Sequence, residues 1–561
     1  VARDRAYARD CEWSAIHLPP GAEMTPKYSF DSLTMRGQRI FGWGWFLSEL
    51  GPAKRIDLTV RHEDGQVSVL RCQQAGTRPD LAEVFPDLPH AINGGFLVQG
   101  RMRSECEGSN AQLEVTLDGG QQISVPLHGF PFHQMPPSVA GQLRSKSAIL
   151  GELLRQRRWG LLARRGAGFL HRQVEDWMRR RSGRAGLPVV DSNTVLVFDH
   201  AMGGGANRFR AEQVAALRAA GQPVLLVTPH LPTLSYDVAH LGADGERTVR
   251  YPDLGTCLAS LPITAELVIN SLVSYDDPGA VLDWSVATQA SARRVTFYLH
   301  DFHAACPVWT LVDETGRHCG LPGPERCRRC LAKNDAPFLA LMPEFDIQGW
   351  RERWYRFFGI TSTVVAFSRS SIDLLRRAFP DLPVHLMRHQ PHDTSYIRPD
   401  PVEFDLSLPL TVAIVGAINI YKGAAIVGQM AQLAEAEDWP VRMVVIGTVD
   451  GISPSAKLHV TGPYQSDELS AILRRERVGI CLLPSVCPET FSYVTAELMA
   501  HQMPLAVFNI GAPAERVAAY PLGCIIDTVD GRSALETLMK FRDTLRGQAS
   551  PAFGATRAGP Q

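Results

Sequence analysis

From residue 191 onward, short apolar runs alternate with amphipathic stretches, and this alternation constrains the fold more than any other feature. "TVLVFDH" reads as a buried strand, "NRFRAEQVAALRAAGQ" as a helix ending at Gly221, and "PVLLVTP" as the next strand. "AELVINSLVS", "RVTFYLHD" and "STVVAFS" follow as further short strands. Near residue 409 a second series begins. "LTVAIVGAI", "VRMVVIGT", "GICLLPS" and "PLAVFN" are strands; "AAIVGQMAQLAEAE", "DELSAILRRERV" and "TAELMAHQM" between them are helices. Uninterrupted apolar strands are buried on both faces, and strands separated by helices form parallel sheets. The pattern predicts two doubly wound, Rossmann-like α/β domains, 191–400 and 401–545, facing a cleft. Ligands of such sheets bind at the carboxyl ends of the strands.

The region before this series follows another period. "RIDLTVRHEDGQVSV" alternates Ile56, Leu58 and Val60, then turns at "EDG". "QLEVTLDGGQQISVPL" alternates Leu113, Val115 and Leu117, turns at "DGG", and resumes with Ile123, Val125 and Leu127. Period two on both sides of a glycine turn marks a hairpin. With the aromatic run "FGWGWFL" at 41–47, residues 24–133 are expected to form an all-β sandwich. An irregular N-terminus, 1–23, precedes it, and a basic helical linker, 134–190, follows. Within the linker, 155–184 carries ten Arg against one Glu and one Asp, interleaved with apolar residues. It suits either a helix packed on a neighbouring domain or contact with an anionic membrane surface. The tail, 546–561, is rich in Gly, Ala and Pro.

Net charge is −1 over 561 residues, so no nucleic-acid partner is expected. No apolar run reaches the ~18 residues of a membrane helix, and the first twenty residues lack the apolar core of a secretion signal. Eleven cysteines, mostly scattered, suit a reducing compartment. The expected location is cytoplasmic, with the basic segment able to reach the inner face of the cytoplasmic membrane.

Four stretches face the expected cleft. "HAMGGGANRFR" (200–210) puts Gly203, Gly204 and Gly205 between a strand and a helix, where backbone can approach a phosphate. Arg208 stands where G-x-G-x-x-G needs its third glycine, which disfavours a nicotinamide cofactor. "YLHDFH" (298–303) ends a strand with His300 and Asp301, suited to a sugar hydroxyl or a nearby charge. "GAINIYKGA" (416–424) opens at Gly416 and carries Lys422-Gly423 just before a helix, a point charge for a diphosphate. "CPETFSYVTAEL" (487–498) holds Glu489 and Glu497, with a helix expected from Phe491. Eight helical residues rise about 12 Å, a spacing for two ends of an extended ligand.

Taken in order, these four motifs and "PLAVFNIGAPAE" resemble the retaining glycosyltransferases of the GT-B fold, of the family 4 type, across roughly residues 190–545. The β-rich region is similar to domains fused to bacterial polysaccharide-assembly transferases. The resemblance implies that Lys422, with Gly416 and Gly423, binds the diphosphate of a nucleotide-sugar donor. It implies that Glu497 holds the ribose hydroxyls and that Glu489, with Thr490 and Phe491, contacts the transferred sugar. Gly203, Gly204 and Gly205 would lie against the phosphates, and His300 would sit at the reacting face. Asn207, Arg208 and Asp301 fall on the acceptor side. One departure stands out: many relatives carry Arg where this chain has Ala417, leaving Arg208 or Arg388 as substitutes. No cofactor is required for catalysis in this reading, and the chain contains no Asp-x-Asp. The implied activity is transfer of a sugar, with rhamnose as one guess, to a saccharide or lipid-linked saccharide in bacterial surface-polysaccharide synthesis. The alternatives are a non-catalytic sugar-binding scaffold derived from a transferase, and a sugar-nucleotide epimerase of the same fold.

"CPVWTLVDETGRHCGLPGPERCRRCL" gathers Cys306, Cys319, Cys327 and Cys330 within 25 residues, the last two as C-x2-C. They are either the thiolate ligands of one structural zinc or reduced cysteines in a loop.

Overall fold

The computed structural model describes residues 26–62, 64–76, 78–103, 110–127, 193–242, 245–290, 292–343 and 345–548, with 153–156, 158 and 160 besides. The expected irregular N-terminus, nearly all of the basic linker and the tail beyond Gln548 lie outside the described residues. The described residues pack as two compact units. One takes the residues up to 160 with His230–Ser235 and Ala340–Met342; the other takes the rest.

The first unit contains two four-stranded antiparallel sheets. One runs β1 (Lys27–Arg36), β2 (Arg39–Leu47), β6 (Gly95–Arg101), β5 (Gln73–Gln74). The other runs β4 (Val67–Arg71), β3 (Ala53–Arg61), β7 (Asn110–Leu117), β8 (Gln122–Pro126). Both expected hairpins form: β3 pairs with β4, and β7 with β8, Val115 opposite Ile123. The period-two residues Leu58, Val60, Leu113, Val115, Ile123 and Val125 are buried in one cluster with Phe30, Ile40, Phe46 and Phe96 of the other sheet. Trp45 instead packs with Leu81, Val84 and Phe85, on and beside the short helix Pro79–Val84.

The second unit holds two larger sheets. The first runs β12 (Gly245–Tyr251), β11 (Ser235–Gly242), β10 (Val224–His230), β9 (Val195–Phe198), β13 (Glu266–Ile269), β14 (Arg294–Leu299), β15 (Thr363–Ala366), β16 (Met387–His389). From β10 to β16 neighbouring strands are parallel, while β11 and β12 make an antiparallel hairpin at one edge. The hairpin escapes the sequence pattern because β12 has no buried residue and so no apolar period. The helix expected at 207–221 spans Gly204–Ala219 and starts inside the glycine loop.

The second sheet runs β19 (Leu458–Val460), β18 (Val441–Val449), β17 (Leu410–Ile418), β20 (Ile480–Leu483), β21 (Leu505–Phe508), β22 (Gly523–Ile526), all parallel. The chain starts at the centre, works to one edge, and returns to build the other side. Alternate residues of β17 serve opposite faces. Val412 and Ile414 pack with Val427, Met430 and Leu538 of helices Ala424–Ala436 and Gly531–Gln548. Ala413 and Val415 pack with Leu473, Leu498 and Val517 of helices Leu469–Arg475, Tyr493–Ala500 and Gly511–Val517.

Candidate functional site

In a doubly wound sheet the loops on either side of the point where strand order reverses diverge and leave a crevice. In the second sheet that point lies between β17 and β20. The loop after β17 carries Lys422 and the loop after β20 carries Glu489. Their side chains meet, Nζ to Oε2, at 2.6 Å. Asn419 shapes the first loop: its Oδ1 accepts from the amides of Tyr421 and Lys422 at 3.0 Å each. Gly423 then turns at φ 88°, and a Cβ there would fall 2.0 Å from the Pro484 carbonyl oxygen. Only glycine lets the two loops approach this closely. Ser485 Oγ donates to Glu489 Oε1. Burial works against the charge on both groups, but each stabilises the other's. Glu489 is held below the ordinary carboxylate range, and Lys422 above the ordinary lysine value.

The sequence places Glu489 in the loop after a strand and Glu497 inside the helix that follows, expected from Phe491, although the spacing of about 12 Å assumes a helix between them. Ser492 has φ 66°, a left-handed conformation, and the helix begins only at Tyr493. The two acids therefore belong to different elements, and the helical spacing of about 12 Å does not describe them. Glu497 does not face solvent either. It is 7% exposed and accepts from Ser466 Oγ, at the start of the short 3-10 turn Ser466–Glu468 that follows β19.

The first sheet reverses between β9 and β13. Asp199, fully buried, follows β9 and accepts from Arg210 Nη1 at 2.9 Å, Asn207 Nδ2 at 3.0 Å and the His200 amide at 2.8 Å. Burial raises its carboxyl to about 6 against these partners, and lowers His200 to about 4. Asn207 Oδ1 accepts from the Gly203 amide at 2.6 Å, so Asn207 is spent on closing the glycine loop. Asp301 is likewise engaged within its own half: it accepts from Ser271 Oγ at 2.7 Å and the His303 amide at 2.9 Å. His300 Nε2 lies 2.9 Å from Asn270 Oδ1, and its ring stacks on Phe367 with centroids 4.6 Å apart. Burial holds His300 well below its ordinary value, with His392 and His200 pushing the same way. It is a neutral imidazole that donates Nε2–H to Asn270.

The carboxyl ends of the two sheets meet. Thr490 Oγ1 donates to the His300 carbonyl at 3.0 Å. Gly205 lies against Tyr493, where a Cβ would sit 2.8 Å from Cε2. The Arg208 guanidinium stands 3.9 Å from the Tyr396 ring centroid and 5.1 Å from that of Tyr493. Phe491 packs with Phe367 and Val365 of the first sheet's side. Thus Glu489, Thr490 and Phe491 of the last motif join His300, Gly205 and Arg208 in one region. Of the two candidate cations, Arg208 reaches it, whereas Arg388 is exposed on the edge strand β16. Ala417 lies within β17, opposite Thr448 of β18. Gly416, φ 119°, precedes it against Val494.

Several residues at this junction carried no sequence signal. Arg516 Nη1 donates to the carbonyls of Phe491 and Ser492 at 3.3 and 3.1 Å, bracing the left-handed turn beside Glu489. His392 stacks on Phe367 with centroids 4.0 Å apart and meets Tyr493 OH at 3.2 Å. Asp199-His200 did have a signal: an acid and an imidazole directly after a buried strand, as at His300-Asp301. The four cysteines line a single cavity and are free thiols. Among the described residues no three His, Cys, Asp or Glu stand ready to hold a metal. No helix among the described residues is long and apolar enough to cross a membrane.

No family model matches the sequence, and no curated protein matches it. Among solved structures, sucrose-phosphate synthase from Thermosynechococcus elongatus aligns at 14% identity over 63% of this chain and 94% of that one, TM-score 0.38. Anabaena Alr3699/HepE in complex with UDP-glucose aligns at 13% identity over 63% and 90%, TM-score 0.37. The catalytic domain of starch synthase IV from Arabidopsis thaliana, bound to ADP and acarbose, aligns at 11% identity over 64% and 92%, TM-score 0.37.

Proposed function

We propose that this chain is a GT-B glycosyltransferase of the retaining, family 4 type that takes a sugar from a nucleoside-diphosphate donor and passes it to a saccharide. The observation that carries this reading is the Lys422–Glu489 pair at the reversal point of the second sheet, joined through Thr490 to His300 of the first. Breaking the bond between a sugar and its diphosphate builds negative charge on the leaving oxygen. Lys422, directly before the 13-residue helix Ala424–Ala436, offers that oxygen a cation and the helix's first amides. A diphosphate there competes with Glu489 for the ammonium and frees the carboxylate for the hydroxyls of the transferred sugar. Glu497, oriented by Ser466, is an acceptor for the ribose hydroxyls. Neutral His300 brings no second cation to the transferred sugar, and its carbonyl ties the sugar-binding loop to the acceptor half. The acceptor in this reading is a growing lipid-linked surface saccharide, which gives the basic segment 155–184 an anionic surface to meet.

Donor turnover tests the site. Lys422→Ala and Glu489→Ala are each expected to depress kcat/KM by roughly a hundredfold or more. Glu497→Ala is expected to act mainly through the donor KM, because a ribose contact exists before and during reaction. Wild-type kinetics in all three folded variants would refute the site. A panel of nucleotide sugars, activated rhamnose included, identifies the donor by the rise in melting temperature that binding produces.

A further inference from the structure

The segment from Phe302 to Leu339 spans the two halves of the second unit. Phe302, Ala305, Cys306, Val308 and Leu311 pack with Leu374 of helix Arg369–Ala378, on the first sheet's side. Val312, one residue on, is buried in the core of the second sheet with Leu410 and Ile414. Trp309 faces Tyr421, the neighbour of Lys422, with ring centroids 6.1 Å apart. A strap that must hold both halves and the Lys422 loop contains little regular structure of its own, chiefly the helix Pro324–Leu331. A short antiparallel turn, Val312 opposite His318 with the Cys319 amide on the Leu311 carbonyl, and Asn334 Nδ2 on the Val312 carbonyl hold parts of it.

We propose that Cys306, Cys319, Cys327 and Cys330 bind one structural zinc ion that fixes this strap. All four side chains line the same cavity, walled by Val308, Leu311 and Leu321. They come from three separate stretches of the strap, so one ion cross-links it at three points. The set is the all-sulfur tetrahedral type that zinc takes in structural sites. Two thiols already have N–H donors of the kind that support thiolate ligands. Asn334 Nδ2 lies 3.4 Å from Cys330 Sγ, and Arg351 Nη2 lies 3.8 Å from Cys327 Sγ while its Nε donates to the Ala305 carbonyl. Four thiolates around a divalent ion leave two net negative charges, which the Arg351 guanidinium beside Cys327 offsets in part; Arg326 and Arg328 of the helix Pro324–Leu331 are already paired, with Asp313 and Glu314 and with Asp346. Among the described residues no three ligating side chains stand at metal distances, so binding requires the thiols to move within the cavity to close the set. A thiol must lose its proton to bind zinc, so binding releases protons.

The test uses the full chain, purified without chelator. Elemental analysis is expected to find one zinc per chain. Cobalt exchanged for it is expected to show thiolate-to-cobalt charge transfer with the visible bands of a tetrahedral ion. Cys327→Ser and Cys330→Ser are expected to lose both signals, while Cys257→Ser and Cys481→Ser, buried elsewhere, keep them. A metal-free chain whose four strap thiols react freely with a thiol reagent, or are joined as disulfides, overturns the proposal. Should the serine variants fail to fold, the wild-type cobalt spectrum and the thiols shielded until a chelator is added decide the matter. Donor turnover is not a readout here, so this proposal and the transferase reading fail separately.

Discussion

At the residue scale, the approach of two loops depends on a missing side chain. Gly423 sits at φ 88° with the Pro484 carbonyl oxygen where a Cβ would go. Gly423→Ala is expected to lose more than about 2 kcal/mol, left-handed strain and the clash adding, as read by chemical denaturation. The neighbouring Lys422–Glu489 pair has a defined pH window. Glu489 is depressed and Lys422 raised, so their mutual stabilisation is lost as acid protonates the carboxylate, below the ordinary carboxylate range, and as base removes the lysine proton, above the ordinary lysine value. The residue types at these positions were legible in the sequence. That Lys422 and Glu489 partner each other was not, because the loops are 67 positions apart and meet only when β17 and β20 become neighbours.

Among elements, helix ends do the joining. The helix Arg369–Ala378, on the side of the first sheet, receives a carboxylate from the second: Glu515 accepts from the amides of Arg369 and Ser370 at 3.1 and 2.8 Å. Ser368 caps the same end from within, accepting from the Ser371 amide. Glu515→Ala is expected to lower stability by about 1 kcal/mol, the worth of a charged cap at a helix N-terminus, and the loss shows as a lower melting temperature. The strands β9, β10, β13, β14, β15, β17, β18, β20 and β21 were legible because each is a short apolar run; β11, β12, β16, β19 and β22 were not. The start of the helix bearing Glu497 was not, because Ser492 is held left-handed by its surroundings, Arg516 gripping the carbonyls on either side of that turn.

For the whole molecule, the meeting of the sheets gathers imidazoles away from water. His392 is lowered to about 4 by burial, with Arg516 and Arg208 adding to the effect, and His200 is lowered to about 4. A histidine depressed in the fold is neutral there and charges on unfolding, so its contribution is complete above the ordinary value of 6.5 and declines as pH falls toward about 4. The histidine contribution is expected to fall across that window, while Asp199, raised to about 6 in the fold, acts in the opposite sense. His392→Phe, which keeps the stacking on Phe367, is expected to reduce the slope by up to about 1.4 kcal/mol per pH unit, measured by denaturation at several pH values. An unchanged slope would show that His392 titrates normally.

Period and composition alone determined the elements: two runs of buried strands divided by helices, a β-rich region before them, and glycine, lysine and acidic motifs at strand ends. These are local properties, fixed by which side chains avoid water at a spacing of two or of nearly four residues. Tertiary structure alone decided strand order, and with it which strand ends are neighbours. The reversal between β17 and β20 brought Lys422 to Glu489, and packing of the two sheets brought Thr490 to His300. Contacts between residues far apart in the chain depend on how whole layers stack, and no spacing along the sequence records that.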